Sequence, residues 1–200
     1  MRAPETTPEP SRGPSEGPSA TDEALAARLI AGDQRAFEAI VLRWRDRIVD
    51  LAHLLTGDRS AAEDVGQEVF LRLLRRPDAY DPRRPFKAWI STVARNLCHD
   101  RYRRESTRAR YQHTATHEMR FGPRPTVAPL EAAAADETQA RLRECIAELP
   151  AKFRDAFVLC AVRGMSYAEA AEVCGCPPKT VSTRLARARK RLGERMKEWL

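Results

Sequence analysis

Several features that would mark a membrane, secreted or catalytic protein are missing from this sequence. No apolar run is long enough to cross a membrane, and Met1 to Asp22 lacks the hydrophobic core of a signal peptide. The chain contains no nucleophile–base set and no phosphate-binding glycine loop. It also shows no strand-type alternation and no internal repeat. These absences predict a cytoplasmic, all-α chain that is not an enzyme and has no cofactor.

Cysteine is sparse and odd in number, with five residues in the whole chain. Several of them fall at apolar positions of helical patterns, so reduced structural thiols are expected. Cys174 and Cys176 leave open a metal or redox sensor as an alternative function. A single intervening residue is a poor chelating geometry at a helix end, and no second ligand pair has zinc-site spacing. We therefore expect no metal site.

Positive charge is in excess. The chain has 35 Lys and Arg against 28 Asp and Glu, which gives a formal charge of +7 and a pI near 9.5. Such a balance favours an anionic partner and suits electrostatic attraction to DNA.

The carboxy-terminal residues predict two short helices joined by a tight turn. Ser166 and Glu169 have the spacing of a capping box, which predicts a helix start. Gly175 can adopt the left-handed conformation that ends this helix, and Pro178 suits the first turn of the next one. The second helix has an apolar side at three- to four-residue spacing, formed by Val181, Leu185, Ala188 and Leu192. Its other faces are strongly cationic, so the pair predicts a helix-turn-helix with its second helix in the DNA major groove.

The amino end of the second helix is the part that normally reaches base edges. The residues predicted to do so are Lys179, Thr180, Ser182, Thr183 and Arg184. Arg187 and the later cations are better placed for phosphates, which fix position without reading sequence.

The composition divides the chain into four parts. Residues 1–21 are rich in Pro, Glu, Ser and Thr, which predicts a disordered tail. Residues 22–104 form a first helical block, and 138–200 a second. Residues 105–137 are polar and interrupted by prolines, which predicts a flexible linker with helical ends. The expected fold is two small helical domains joined by this linker.

The first block predicts three main helices. An apolar stripe from Phe37 to Leu55 defines a long helix that Gly57 ends. A capping box at 60–63 (SAAE) opens the next helix, and Pro77 stops it. A turn-rich loop then leads to a third helix with Phe86, Ile90, Val93 and Leu97 at core spacing and with basic and amide residues outside. Charge beside aromatic surface suits a reader of single-stranded DNA, although Trp89 is assigned to the core.

Both blocks resemble bacterial RNA polymerase sigma factors. The first block resembles sigma domain two at residues 62–71 (AEDVGQEVFL), 86–90 (FKAWI) and 93–100 (VARNLCHD). Its start, 31–37 (AGDQRAF), is similar to the extracytoplasmic-function (ECF) group. The second block resembles sigma domain four at 149–154 (LPAKFR), 164–167 (GMSY) and 180–189 (TVSTRLARAR). The chain has no room for the extra domains of housekeeping sigma factors, which is the ECF arrangement.

The resemblance implies a role for each surface. Core-polymerase binding, at the β′ clamp helices, falls to Asp64, Gln67, Glu68, Leu71 and Arg72. Recognition and melting of the −10 element falls to Tyr80, Arg83, Arg84, Arg95, Asn96 and His99. The helix-turn-helix, with Lys179, Thr180, Ser182, Thr183, Arg184 and Arg187, binds the −35 element. The expected partners are core RNA polymerase (β′ clamp helices and β flap), promoter DNA and an anti-sigma factor, and the free chain is expected to be a monomer.

One further function competes with this interpretation. A helix-turn-helix regulator that binds DNA without polymerase would use the same carboxy-terminal helices. It would leave the first helical block without a role, so we favour the sigma-factor hypothesis.

Overall fold

The computed structural model describes residues 20–112 and 135–197, with side chains described for 20–107 and 139–197. Within these ranges all regular secondary structure is helical, which confirms the predicted fold class. The α-helices are α1 (Asp22–Ile30), α2 (Gln34–Thr56), α3 (Arg59–Arg75), α4 (Phe86–Gln112), α5 (Ala135–Glu148), α6 (Ala151–Phe157), α7 (Tyr167–Cys174) and α8 (Pro178–Lys197). A short 3-10 turn (Pro77–Ala79) follows α3, and a π-helical segment (Val158–Val162) follows α6.

The long helix α2 forms as its apolar stripe predicts. The Asp33 carboxylate caps its start by accepting a hydrogen bond from the Arg35 amide at 3.0 Å. Gly57 ends it in the left-handed conformation at φ 76°, where a side chain would be strained. The buried stripe comprises Ile40, Trp44, Ile48, Leu51 and Leu55.

The start of α3 differs from the prediction of a capping box at Ser60. Asp58 is the N-cap, and its carboxylate accepts from the amides of Ser60 at 2.8 Å and Ala61 at 3.3 Å. Aspartate binds these amides as well as serine does, and it follows Gly57 directly. Glu63 is therefore left outside the cap, where it pairs with Arg59 at 3.1 Å.

An aromatic cluster fixes the loop between α3 and α4 to the core. Tyr80 lies edge-on to Phe86 with ring centroids 5.3 Å apart, and to Trp89 at 5.5 Å. Phe86 also meets Trp44 of α2 at 5.8 Å. Edge-to-face rings of this kind add stability beyond their buried area. The prediction that Trp89 belongs to the core is consistent with this packing.

Helix α4 is longer than the sequence predicts, and some of the residues that it buries differ from the predicted ones. Phe86 and Ile90 are fully buried, as predicted, whereas Val93 and Leu97 are half-buried. Small residues one position later, Ala94 and Cys98, face the interior. The helix runs to Gln112, so the first eight residues of the predicted linker are helical.

The carboxy-terminal helices confirm the predicted helix-turn-helix. Ser166 and Glu169 form a complete capping box at the start of α7. Gly175, at φ 62°, ends α7, and Pro178 begins α8. The apolar side of α8 is buried at all four predicted positions, Val181, Leu185, Ala188 and Leu192.

Two bundles result, the amino-terminal bundle (α1–α4) and the carboxy-terminal bundle (α5–α8), and they pack against each other. Helix α4 contacts α7, and α2 contacts α5 and α6. A cleft of about 660 Å³ remains between them, lined by residues of both bundles. The predicted disordered tail falls, apart from Ala20 and Thr21, outside the described residues. So does the part of the predicted linker at 113–134.

Candidate nucleic-acid interface

The helix-turn-helix exposes three of the six residues predicted to contact DNA. Lys179, Thr183 and Arg187 are exposed on the side of α8 opposite its buried stripe. Thr180, Ser182 and Arg184 are half-buried at the margin of this surface. The burial of one side therefore fixes which side chains can enter a groove.

Local contacts hold two of these side chains near the helix start. The Thr183 hydroxyl donates to the Lys179 carbonyl at 2.9 Å. The Arg184 guanidinium lies 3.6 Å from the Cys176 sulfur of the preceding turn. An arginine oriented in this way can present its remaining donors to a base edge.

A second predicted surface lies on α3, where acidic and apolar side chains share one face. Asp64 is 61% exposed and pairs with Arg101 of α4 at 2.8 Å, while Glu68 pairs with Arg72 at 2.9 Å. Gln67 is exposed as well. Leu71 and Leu74 are 42% and 47% exposed. The structure thus brings all five predicted polymerase-binding residues to one helix surface.

Leu74 also lies on this exposed face of α3, and the sequence analysis did not include it. Its signal was present, because Leu74 lies three residues after Leu71 on the polar side of α3. Exposed leucines beside charged residues are typical of protein-binding surfaces.

The predicted −10 residues differ from one another in their exposure and in their ion pairs. Asn96 is exposed on α4, and Arg83, whose side chain is 89% exposed, pairs with Asp81 at 3.0 Å in the preceding loop. This pairing and hydrogen bond raise the pKa of Arg83. Arg84 is half-exposed and lies 3.7 Å from Glu172 of α7.

Arg95 and His99 are held by an acid from the other bundle. The Arg95 Nε donates to Asp155 Oδ2 at 2.6 Å, and His99 Nε2 lies 3.0 Å from the same oxygen. Asp155 has only 2% of its side chain exposed. The two basic groups are therefore paired within the chain.

Tyr80 requires a correction. Its side chain is 2% exposed, and its hydroxyl donates to the Arg84 carbonyl at 2.7 Å. Burial also raises the pKa of this phenol. A ring enclosed by Phe86 and Trp89 offers no free face for base stacking, so we reassign Tyr80 from DNA contact to support of the loop.

The sequence reasoning also missed the acids of the carboxy-terminal bundle. Asp155 lies in the segment 153–159 (FRDAFVL), where five of the seven residues are apolar, and this setting was the available signal, since a buried carboxylate needs a cationic partner. Glu169 was assigned to a helix cap only, yet its carboxylate also lies 3.9 Å from Lys87 of α4. The partners of both acids are distant in sequence, which is why spacing could not reveal them.

The cysteines do not assemble into a metal centre in the part of the chain that the structure describes. No group of three His, Cys, Asp or Glu side chains is placed there to hold an ion. Burial raises the pKa of both Cys98 and Cys174 to about 12. A raised pKa lowers the fraction of thiolate at neutral pH, and the thiolate is the form that reacts with metals and oxidants.

Among residues 20–112 and 135–197, no helix combines the length and apolar character needed to span a membrane.

Comparison with protein families identifies both bundles. Sigma-70 region 2 matches residues 40–108, and Sigma-70 region 4 matches residues 139–192. The first match covers most of α2 through α4, and the second covers most of α5 through α8.

Individual relatives match along most of the chain. The ECF RNA polymerase sigma factor SigW of Bacillus subtilis is 30% identical over 172 residues, which is 84% of this chain and 92% of SigW. The RNA polymerase sigma factor CnrH of Cupriavidus metallidurans is 32% identical over 175 residues, 86% of this chain and 92% of CnrH.

Two solved structures share the arrangement. CnrH in complex with the cytosolic domain of CnrY superposes with a TM-score of 0.68 at 30% identity, covering 88% of this chain and 97% of CnrH. The sigma factor RpoE of Bartonella quintana, in complex with the anti-sigma factor NepR, gives a TM-score of 0.67 at 25% identity, covering 80% and 96%. With both regions matched in order, this chain belongs to the extracytoplasmic-function sigma factors of bacterial RNA polymerase.

Proposed function

We propose that the two bundles divide the work of promoter recognition, with the amino-terminal bundle binding core polymerase and the −10 element and the carboxy-terminal bundle binding the −35 element. The observation that carries this assignment is the presence of two different surfaces in one chain. The α3 face is acidic and apolar, whereas the α8 face is cationic. A surface with exposed leucines and carboxylates suits a protein, and a cationic helix face suits DNA.

We propose that the α3 face docks on the β′ clamp helices. Asp64 and Glu68 supply charge, and Gln67 and Arg72 supply hydrogen-bond donors. Leu71, with Leu74 beside it, supplies apolar area that becomes buried on binding. Charged groups around an apolar centre are the usual organisation of a protein interface.

The −10 element is proposed to bind along α4 and its preceding loop. Arg83 and Arg84 at the loop, and Arg95, Asn96 and His99 along the helix, would contact the melted strand. Guanidinium groups suit phosphates, and a loop pocket can hold an unstacked base if its contacts offset an unstacking cost of a few kcal/mol. Tyr80 would stabilise the conformation of this loop through the hydrogen bond from its hydroxyl to the Arg84 carbonyl.

The −35 element is proposed to bind α8. Thr180, Ser182, Thr183 and Arg184, with Lys179, would read base edges, and Arg187 would contact phosphate. The β flap of the polymerase is the proposed neighbour of this bundle.

The proposed limits of the two units are 22–104 and 138–200. The chain is proposed to act in the cytoplasm, where its polymerase works, and to be a monomer when free. It performs no chemistry itself, because the polymerase joins the nucleotides. The solved complex of RpoE with NepR supports a proposal that an anti-sigma factor also binds this chain.

Reconstituted transcription tests the proposal. Core RNA polymerase is incubated with genomic fragments of the source organism, with and without the chain, and start sites are mapped. We expect new start sites that share two spaced upstream elements. A chain that neither creates start sites nor co-elutes with core polymerase on gel filtration would instead be a DNA-binding regulator.

A further inference from the structure

The start of α4 has no helix cap from its own neighbourhood. Helix α4 begins at Phe86, directly after Pro85, and proline has no side-chain oxygen that could accept from the first amides. The other helices of the amino-terminal bundle do have such a cap, which is Thr21 for α1, Asp33 for α2 and Asp58 for α3. The first amides of α4 therefore need an acceptor from another part of the chain.

Glu23 of α1 provides that acceptor. Its Oε1 accepts a hydrogen bond from the Phe86 amide at 3.1 Å, although the two residues are 63 positions apart. Phe86 is fully buried, and a buried amide without an acceptor is costly. The carboxylate also lies at the positive end of the α4 dipole, where negative charge is favourable. Glu23 thus replaces the missing local cap and joins α1 to the start of α4.

Helix α1 supports both ends of the segment that precedes α4. This segment, residues 80–85 (YDPRRP), is called the −10 loop below. Helix α1 contacts the 3-10 turn before the loop as well as α4 after it. Burial raises the pKa of Tyr80, the first loop residue, and the negative charge of Glu23 raises it further, so the carboxylate is near both ends of the loop.

The polar contacts of Asp81 fix the shape of the loop, but not its position on α4. The amide and the Nε of Arg83 both donate to Asp81 Oδ1 at 3.0 Å, and the Arg84 amide donates to the Asp81 carbonyl at 3.0 Å. These contacts join close neighbours in the sequence. A shift of the first turn of α4 would therefore move both arginines together, relative to Asn96 further along the helix. Residues that read one strand from two elements must be held in a single register.

We propose that Glu23 is a positioning residue for −10 recognition. By binding the Phe86 amide it fixes the −10 loop relative to α4, and it thereby sets how sharply the holoenzyme discriminates between bases of the −10 element. This inference rests on the proposed assignment of −10 contacts to the loop and α4. Glu23 acts through the loop and does not itself contact DNA.

Transcription by reconstituted holoenzyme measures this discrimination. Core RNA polymerase is saturated with the full chain and supplied with a mapped promoter or with versions in which each −10 base is changed in turn. The ratio of the initial rates on the original and the changed template is the discrimination at that position. A chain that is only less stable slows every template by the same factor and leaves this ratio unchanged.

Substitutions of Glu23 separate its hydrogen bond from its charge. Glu23→Ala removes the acceptor, and we expect discrimination to fall roughly fivefold at one or more −10 positions, the effect of about one hydrogen bond. Glu23→Gln loses the charge but keeps an oxygen that can accept from the Phe86 amide. It should retain discrimination within about twofold of the unmodified chain. A glutamine variant that loses as much discrimination as the alanine variant overturns the proposal.

Asp22→Ala is the matched control. Asp22 precedes Glu23 in the first turn of α1, and its carboxylate pairs with Arg43 of α2 at 2.8 Å. The substitution removes the same charge and a comparable contact but leaves the Phe86 amide bonded. We expect every ratio to match that of the unmodified chain. An equal loss of discrimination in Asp22→Ala and Glu23→Ala would assign the effect to α1 as a whole and overturn the role of Glu23.

A loop variant distinguishes failure of this inference from failure of the function it rests on. Arg83→Ala with Arg84→Ala is expected to change the ratio at −10 positions. If it changes no ratio, the assignment of the loop to −10 DNA is wrong, and the positioning role falls with it. If it changes the ratios while Glu23→Ala, shown to be folded by circular dichroism, does not, the −10 assignment stands and the positioning role is overturned.

A second variant covers the case in which Glu23→Ala does not fold. Glu23→Asp keeps the charge but is shorter by one methylene, so its oxygens should fall short of the Phe86 amide. We expect it to lower discrimination at the same −10 positions. Discrimination equal to that of the unmodified chain contradicts the proposal.

Discussion

Removing the acidic groups of α3 is expected to weaken polymerase binding strongly while the chain stays folded. Asp64→Ala with Glu68→Ala breaks two exposed ion pairs, Asp64–Arg101 and Glu68–Arg72. Exposed pairs contribute about 0–1 kcal/mol each, and alanine returns part of this through its helix propensity. A loss of about 1 kcal/mol lowers Tm by roughly 2–4 °C in a chain of this size.

The same change should have a much larger effect on core polymerase. Truncating a charge that is hydrogen-bonded in an interface costs about 2–5 kcal/mol, so a loss near 3 kcal/mol corresponds to a Kd raised roughly 100-fold. Fluorescence anisotropy of the labelled chain titrated with core polymerase at fixed salt measures this Kd. Differential scanning calorimetry measures Tm on the same sample.

A matched control lies on the same helix. Glu63→Ala also breaks an exposed ion pair four residues apart, with Arg59, but its side chain projects about 100° around α3 from Asp64. It should leave the Kd for polymerase unchanged. The reasoning is refuted if the folded double variant binds core polymerase within about threefold of the unmodified chain, a difference below 1 kcal/mol.

Three other predictions concern DNA reading and the core. Arg184→Ala should cost about 1–3 kcal/mol at one base pair of the −35 element, whereas Arg187→Ala should weaken all sequences alike, as measured by competition binding on a panel of single-base variants. Arg154→Ala should lower the free energy of unfolding in urea by about 2–3 kcal/mol, because its buried guanidinium donates to carbonyls of both bundles, and no change would contradict that role. Tyr80→Phe removes only the hydrogen bond to the Arg84 carbonyl, so it should cost about 1 kcal/mol of stability while promoter opening, followed by permanganate footprinting, is unaffected.

Local patterns predicted the helices well because the signals that begin and end a helix lie within a few residues of each other. The Ser166 capping box and the Gly175 turn formed as predicted. At the start of α3, two residues close in sequence could each have served as the N-cap. Asp58 displaced Ser60 as the cap of α3 because it offered the same bond two residues earlier.

The candidate sites were predictable to the extent that they lie on one helix. The α3 and α8 faces follow from periodicity, since side chains three and four residues apart share a surface. Tyr80 was wrongly assigned because a loop aromatic carries no periodicity, and only its packing against Phe86 and Trp89 shows that it is buried. The exposure of Leu74 likewise had to be seen in the fold.

The sequence by itself determined the helical fold, the helix-turn-helix and the membership of the sigma family, because capping residues, apolar periodicity and family motifs are all local. Only the tertiary structure decided where Asp155 lies. Its partner Arg95 is 60 residues away in the chain. A buried carboxylate must find a cation, but which cation it finds depends on how the two bundles pack.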